Sequence, residues 1–255
     1  MTTHQYLDTQ VVSYAMKGKW DYSLDGCVIS SIVANELFLV HGNDPANANL
    51  YIPLISNHHT IGLMTSDLRR RDHPFNRHHT DSIVMDFANV YPTIVEYNNL
   101  SISVAINNGF TDLMSGAFNH LDKETRKTLK RRFKFLVENK IRCVPLRRSD
   151  IESAFELLAR FCKKYNFKGN FRNTWNDLLI LSSAMGAGEP LVTEDNLLSR
   201  FASEDLKITP KKKQDFVELS FSVSGKKDRT IYNESKRYIN TGWRVKFSRP
   251  PIPFQ

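Results

Sequence analysis

No stretch of the 255 residues stays apolar over the roughly 18 to 20 positions needed to cross a bilayer. The N-terminal MTTHQYLDTQ lacks the basic and apolar blocks of a signal peptide. A cytoplasmic protein without membrane contact is therefore expected. Cysteine is scarce: Cys27, Cys143 and Cys162 lie far apart and none belongs to a CxxC pair. That argues against a disulfide framework and a zinc site, and leaves three buried free thiols as the plain expectation. Internal repeats and long low-complexity segments are also missing. At 41% hydrophobic residues the composition is that of an ordinary globular chain, long enough for one large domain or a domain with a sizeable appendage.

Net charge is absent from most of the chain. Twelve of the 35 bases but only four of the 27 acids lie from Lys207 onward, so the first 206 residues carry 23 of each and the tail holds the entire surplus of +8. A polyanionic partner would meet that tail first, through Lys211, Lys212, Lys213, Lys226 and Lys227. A second basic element is expected at Asp122 to Lys140. There Leu129, Phe133, Leu136 and Val137 fall on one helical face, and Arg126, Lys127, Lys130, Arg131 and Lys134 fall largely on the others. Its charged face is either simply solvated or a nucleic-acid contact near Arg131.

What is present is a β/α rhythm at the two ends of the first 206 residues. His4 to Leu7 reads as a strand that stops at Asp8 and is followed by a helix over Thr9 to Met16. Cys27 to Ser30 reads as a second strand, with Ser31 capping a helix whose apolar stripe is Val33, Leu37 and Val40. Ile141 to Leu146 predicts a strand, with Ser149 and Glu152 as a capping box for the helix after it. Thr174 to Met185 predicts a strongly apolar helix, Pro190 to Val192 a strand, and Asp195 to Phe201 another helix. Alternation of this kind predicts a parallel sheet covered on both faces, with its chemistry outside the carboxyl ends of the strands. Residues from about 41 to 140 read as an insertion, with loop-like stretches at Gly42 to Asn49 and His73 to Thr80, and with a helix from Asp81 to Tyr91 ending at Pro92. After Pro210 the pattern turns to β: Phe216 to Val223 alternates, Gly225 to Asp228 resembles a turn, and Tyr238 to Phe247 predicts one or two strands.

Four acids stand at the starts of helices that follow, or pack beside, the strands of this one inferred sheet. Asp8, Asp177 and Asp195 each have a structural explanation at a helix start, where a carboxylate satisfies free N–H groups and is favoured by the helix dipole. Glu36 has less excuse, because it falls within the stripe of Val33, Leu37 and Val40. A carboxylate on an apolar face needs a salt bridge or a metal ion. Were all four to converge at one edge of one sheet, their mutual repulsion would call for a cation. An all-oxygen site suits Mg²⁺ or Mn²⁺, and those ions suit phosphodiester hydrolysis.

The segments that hold these acids resemble the motifs of PIN-domain nucleases. YLDTQVVSYA is similar to the first motif, an Asp at the end of strand one followed by a hydroxyl residue, although Gln10 stands where Asn or Ser is frequent. ISSIVANELF is similar to the second, with its helical Glu, and NDLLILSSAMGAGEPLVTEDNLLSRF to the third and fourth together. The resemblance covers about Gln5 to Val40 and Ile141 to Ala202. It implies a three-layer α/β/α sandwich with a central parallel sheet over residues 1–206; the 41–140 insertion and the basic, β-rich extension over 207–255 depart from the family pattern. It also implies a metal-dependent ribonuclease in which Asp8, Glu36, Asp177 and Asp195 bind Mg²⁺ or Mn²⁺ and Thr9 and Thr193 support them. RNA is the implied substrate. DNA, an inhibitory protein partner and a non-catalytic binding scaffold remain as alternatives. Tyr232, Tyr238 and Trp243 lie among the tail bases and either stack on unpaired bases or pack in a core. His58, His59, His73, His78 and His79 fit no zinc spacing and read as polar surface or nucleic-acid contact.

Overall fold

The computed structural model describes residues 4–40, 81–167, 171–213, 215–221 and 242–247. The protein is a mixed α/β structure. The order runs β1 (Gln5–Leu7), α1 (Thr9–Met16), β2 (Cys27–Ser30), α2 (Ser31–Leu37), β3 (Ser82–Asp86), β4 (Ile94–Tyr97), α3 (Asn99–Asn107), α4 (Thr111–Ala117) and α5 (Lys123–Glu138). It continues with β5 (Arg142–Val144), α6 (Arg148–Phe161), α7 (Phe171–Ala187), β6 (Leu191–Thr193), α8 (Asn196–Asp205), β7 (Pro210–Lys213), β8 (Phe216–Leu219) and β9 (Arg244–Phe247).

Six strands form the main sheet in the order β5-β2-β1-β6-β8-β7. The first four run parallel, and each follows the β/α rhythm read from the sequence. From β1 the chain steps outward to β2 and β5, then returns to lay β6 on the other side of β1. The strand order thus reverses between β1 and β6, the place where open α/β sheets form a crevice at their carboxyl ends. The expected wholly parallel sheet is corrected at its far edge, where β8 pairs antiparallel with both β6 and β7. The start of the basic tail is therefore part of this sheet, and the edge of β6 is paired rather than exposed.

A second sheet, β4-β3-β9, is antiparallel throughout. It overturns the helix expected over Asp81 to Tyr91. The run Ser-Ile-Val-Met-Asp is a strand, and the chain turns through Ala88 (φ 52°) and Asn89 (φ 62°) before Pro92. Pro92 thus follows a turn, not a helix end. Asp81 instead serves α3, its carboxylate accepting from the backbone N–H groups of Leu100 and Ser101 at 2.7 Å each.

Amide side chains join the middle of the chain to the edge strand β5. Asn107 donates to and accepts from the backbone of Cys143 at 2.8 Å, and Asn99 does the same with Leu146 at 3.1 and 2.8 Å. Asn99 also accepts from the Ser31 hydroxyl at 2.5 Å. Ser31 was expected to cap α2, but Ser30 does so, accepting from Val33 N at 3.3 Å. Likewise Asp150, and not Glu152, closes the start of α6, accepting from the Arg147 backbone at 2.9 Å. Helix α5 forms as its periodicity predicts, with Leu129, Phe133 and Leu136 buried and Asp122 capping it.

One continuous apolar core takes residues from both sheets. Its aromatic part centres on Phe87, whose ring meets those of Phe155, Phe171, Trp175 and Trp243 edge-on at 5.0 to 5.7 Å. Trp243 is therefore a core residue, whereas Tyr232 and Tyr238 lie outside the described residues. Cys27 and Cys143 are buried as expected, but Cys162 is exposed, with its Sγ 3.3 Å from the Tyr91 hydroxyl. No helix among the described residues is long and apolar enough to cross a membrane.

Candidate metal centre

The carboxyl ends of β1 and β6 set the position of the site. The Asp8 N–H extends the ladder beyond β1 by donating to Val192 O at 3.0 Å, and Asp8 O then accepts the first helical bond of α1 from Val12 N. Asp8 is thus fixed at the strand-to-helix corner, beside Thr193 at the end of β6. The Thr193 hydroxyl donates to Asp8 Oδ2 at 2.7 Å and accepts from Asp195 N at 3.0 Å, so this one buried side chain ties the two acids together. Asp8 Oδ1 accepts from Thr9 N at 2.6 Å. Asp195 caps α8 through Leu198 N at 2.8 Å.

Glu36 comes from the last turn of α2, placed there by Ser30 capping and by Arg132 of α5, which donates to the Leu37 carbonyl at the helix end. One of its carboxylate oxygens accepts from the Thr9 hydroxyl. The other accepts from Asn176 Nδ2 at 2.7 Å. Asp177 lies in the second turn of α7, and both it and Glu36 lie inside their helices, not at the starts where all four acids were expected. All four acids nevertheless line one cleft of about 500 Å³, together with Thr9, Gln10, Asn173 and an apolar wall that includes Phe161, Leu178 and Leu198.

Burial pushes the Asp8 carboxyl up from 3.8 to about 6, and the charges of Glu36 and Asp195 push it the same way, against the hydrogen bonds from Thr193 and Thr9. Burial likewise raises Glu36, opposed by Thr9, Asn176 and the more distant Arg172. The residues therefore supply an all-oxygen set in which Glu36 and Asp195 repel Asp8, and in which the hydrogen bonds to Asp8 and Glu36 come from neutral donors. That chemistry fits a hard divalent cation. Among the described residues no group of three or more His, Cys, Asp or Glu side chains is already gathered into a metal-holding cluster. Each oxygen of Asp8 and Glu36 is instead turned to a hydrogen-bond donor of the protein.

Two polar neighbours of the acids are not marked by the sequence pattern. Asn176 sits four residues after Arg172, on the same face of α7, and holds Glu36. Glu96, 2% exposed, meets Arg172 at 2.5 Å, and burial raises its carboxyl to about 7, with Glu36 adding to the rise. In β4 it alternates in phase with the buried Ile94, a signal that becomes visible once the segment is recognised as a strand.

Of the expected nucleic-acid contacts, Lys211 and Lys212 are exposed on β7, Lys213 is half-buried beside them, and Arg131 is exposed on α5. Lys226, Lys227 and the insertion histidines lie outside the described residues. Comparison with protein-family models, curated proteins and solved structures found no match to this chain.

Proposed function

We propose that the protein is a divalent-metal-dependent endonuclease of the PIN type, most suited to RNA and leaving 5′-phosphate ends. The observation that carries this reading is the convergence of Asp8, Glu36, Asp177 and Asp195 on one cleft at the switch point between β1 and β6. In this reading residues 1–206 are a PIN-like three-layer α/β/α unit with an insertion at about 41–140, and 207–255 are a basic extension.

The four carboxylates would hold Mg²⁺ or Mn²⁺. Such an ion, when bound, supplies a water of lowered pKa and neutralises charge at a leaving oxygen. The chain's own contribution is positioning. Thr9 and Asn176 fix both oxygens of Glu36, and Thr193 fixes Asp8 while holding the backbone of Asp195. Support of this kind orients ligands and raises their affinity for a cation. The walls at Phe161, Leu178 and Leu198 exclude water from one side of the cleft, which strengthens electrostatic interactions within it.

The test is cleavage of end-labelled RNA and DNA in Mg²⁺ or Mn²⁺ by the wild type, Asp8→Asn and Asp177→Asn. Cleavage by the wild type alone supports the reading. No cleavage, or equal cleavage by all three, contradicts it.

A further inference from the structure

A second cavity, of about 530 Å³, continues the acidic cleft along α1. Thr9, Gln10 and Asp195 line both cavities, and Ser13, Tyr14 and Lys17 carry the second one away from the acids. Beyond it lies a row of rings in edge contact: Tyr14 on Phe216 at 5.6 Å, Phe216 on Trp20 at 5.1 Å, and Trp20 on Tyr22 at 5.0 Å. Tyr22 is one of the few large hydrophobic side chains left exposed among the described residues. Ammonium groups accompany these rings. Lys17 and Lys19 approach the Tyr14 ring centroid at 5.8 and 5.9 Å, and Lys213 approaches that of Tyr22 at 5.4 Å.

We propose that this row is a docking platform for single-stranded nucleic acid leaving the cleft, with phosphates on Lys17 and Lys19 and unpaired bases on Tyr14 and Tyr22. The proposal rests on the nuclease reading for its direction, because the strand is taken to pass the acids. The physical case is the pairing of aromatic rings with cations, first at Tyr14 and Lys17 in the cavity that continues the acidic cleft and then at Tyr22 on the surface beyond it, the combination that tracks an unpaired strand with little sequence preference. From Thr9 to Lys17 the groove covers about 12 Å at the helical rise, or about three to four nucleotides at the 3.4 Å spacing of a stacked strand. The charges are unevenly available. Lys213 shares its charge with Glu218 at 2.5 Å, whereas Lys17 and Lys19 are exposed and carry most of the attraction. Glu194, which accepts from the Tyr14 hydroxyl at 3.4 Å, marks the acidic border of the path. Lys211 and Lys212 extend the positive surface along β7. A duplex hides its base faces, so the platform favours single strands.

The experiment measures fluorescence anisotropy of labelled 12-nucleotide RNA, the DNA of the same sequence, and the RNA duplex, with the full chain in EDTA so that no strand is cut. Wild type is compared with Lys17→Ala/Lys19→Ala/Tyr22→Ala, a variant confined to exposed side chains, with circular dichroism to confirm its fold. The expected result is preference for single strands, a loss of at least tenfold in affinity for the variant, and a salt slope shallower by about 1.4, or two single-strand phosphate contacts. The RNA and DNA arms identify the sugar. Wild-type affinity and slope in the variant, preference for duplex, or no binding by the wild type would overturn the proposal. Binding and cleavage fail separately: lost binding in the variant with no cutting by the wild type keeps the platform and removes the nuclease, and the opposite pattern does the reverse.

Discussion

Glu36 and Glu96 are neighbouring carboxylates, and the protein satisfies them by opposite means. Glu96, inside the β3–β4 pair, faces a fixed cation, the Arg172 guanidinium at 2.5 Å. Glu36, at the cleft, takes its two hydrogen bonds from the neutral Thr9 and Asn176. Arg172 and Asn176 share one face of α7, so a single helix gives one glutamate a contacting cation and the other a neutral hydrogen-bond donor. The difference separates structure from candidate chemistry. A charge in direct contact with its counter-ion holds elements together, whereas one oriented by neutral donors, with its nearest cation at a distance, remains available to an ion.

The largest expected effect separates the two acids by activity. Glu36→Gln and Asp177→Asn should lower the cleavage rate about a thousandfold, the equivalent of ~4 kcal/mol in the barrier, while Glu96→Gln stays within a few-fold of wild type in the same assay. Equal damage from Glu96→Gln would erase the distinction. Next in size is stability. Arg172→Ala strands Glu96 in the interior and should cost about 3 kcal/mol in urea denaturation at pH 8. The cost should shrink at pH 6, where Glu96, already raised to about 7, takes up a proton. Adding Glu96→Gln to Arg172→Ala should recover most of the loss.

Smaller effects come from the neutral donors. Thr9→Ala and Asn176→Ala should each reduce metal affinity by about 10- to 100-fold, as loss of an outer-shell partner does, measured by titrating activity with Mn²⁺. Smallest is the pH response of the chain in EDTA. The carboxyls of Asp8 and Glu96 are raised from 3.8 and 4.5 to about 6 and about 7. Their protonated forms therefore favour the fold. Their contribution is complete below the ordinary carboxylate range and is lost as pH rises through the folded values. Thermal unfolding should occur a few degrees higher at pH 5.5 than at 7.5, a chain of this size moving about 2–4 °C per kcal/mol. Asp8→Asn should flatten that response and be more stable than wild type at pH 7.5.

The sequence disclosed the parallel core and the four acids because both depend on local signals. A short apolar run followed by an amphipathic one marks each strand and helix, and Glu36 stands out against Val33, Leu37 and Val40 without any tertiary knowledge. The second sheet was hidden because β3 draws its partner β9 from some 160 positions along the chain, as in the pairing Ile83 with Phe247. Its own five residues read equally as a helix cut short by Pro92. With β3 taken as a helix, Glu96 has no inward face to occupy and its pairing with Arg172 cannot be inferred. Asn176 is hidden for another reason: beside Asp177 in an apolar helix, its amide gains meaning only when α2 brings Glu36 to it.

The most direct test of the central claim is Mn²⁺ binding followed by the loss of the free-ion electron paramagnetic resonance signal during titration at pH 7.5. The account predicts one or two ions bound by wild type and by Glu96→Gln, with affinity reduced at least tenfold in Glu36→Gln and Asp8→Asn. Absence of binding by the wild type, or equal binding by all four proteins, would contradict it.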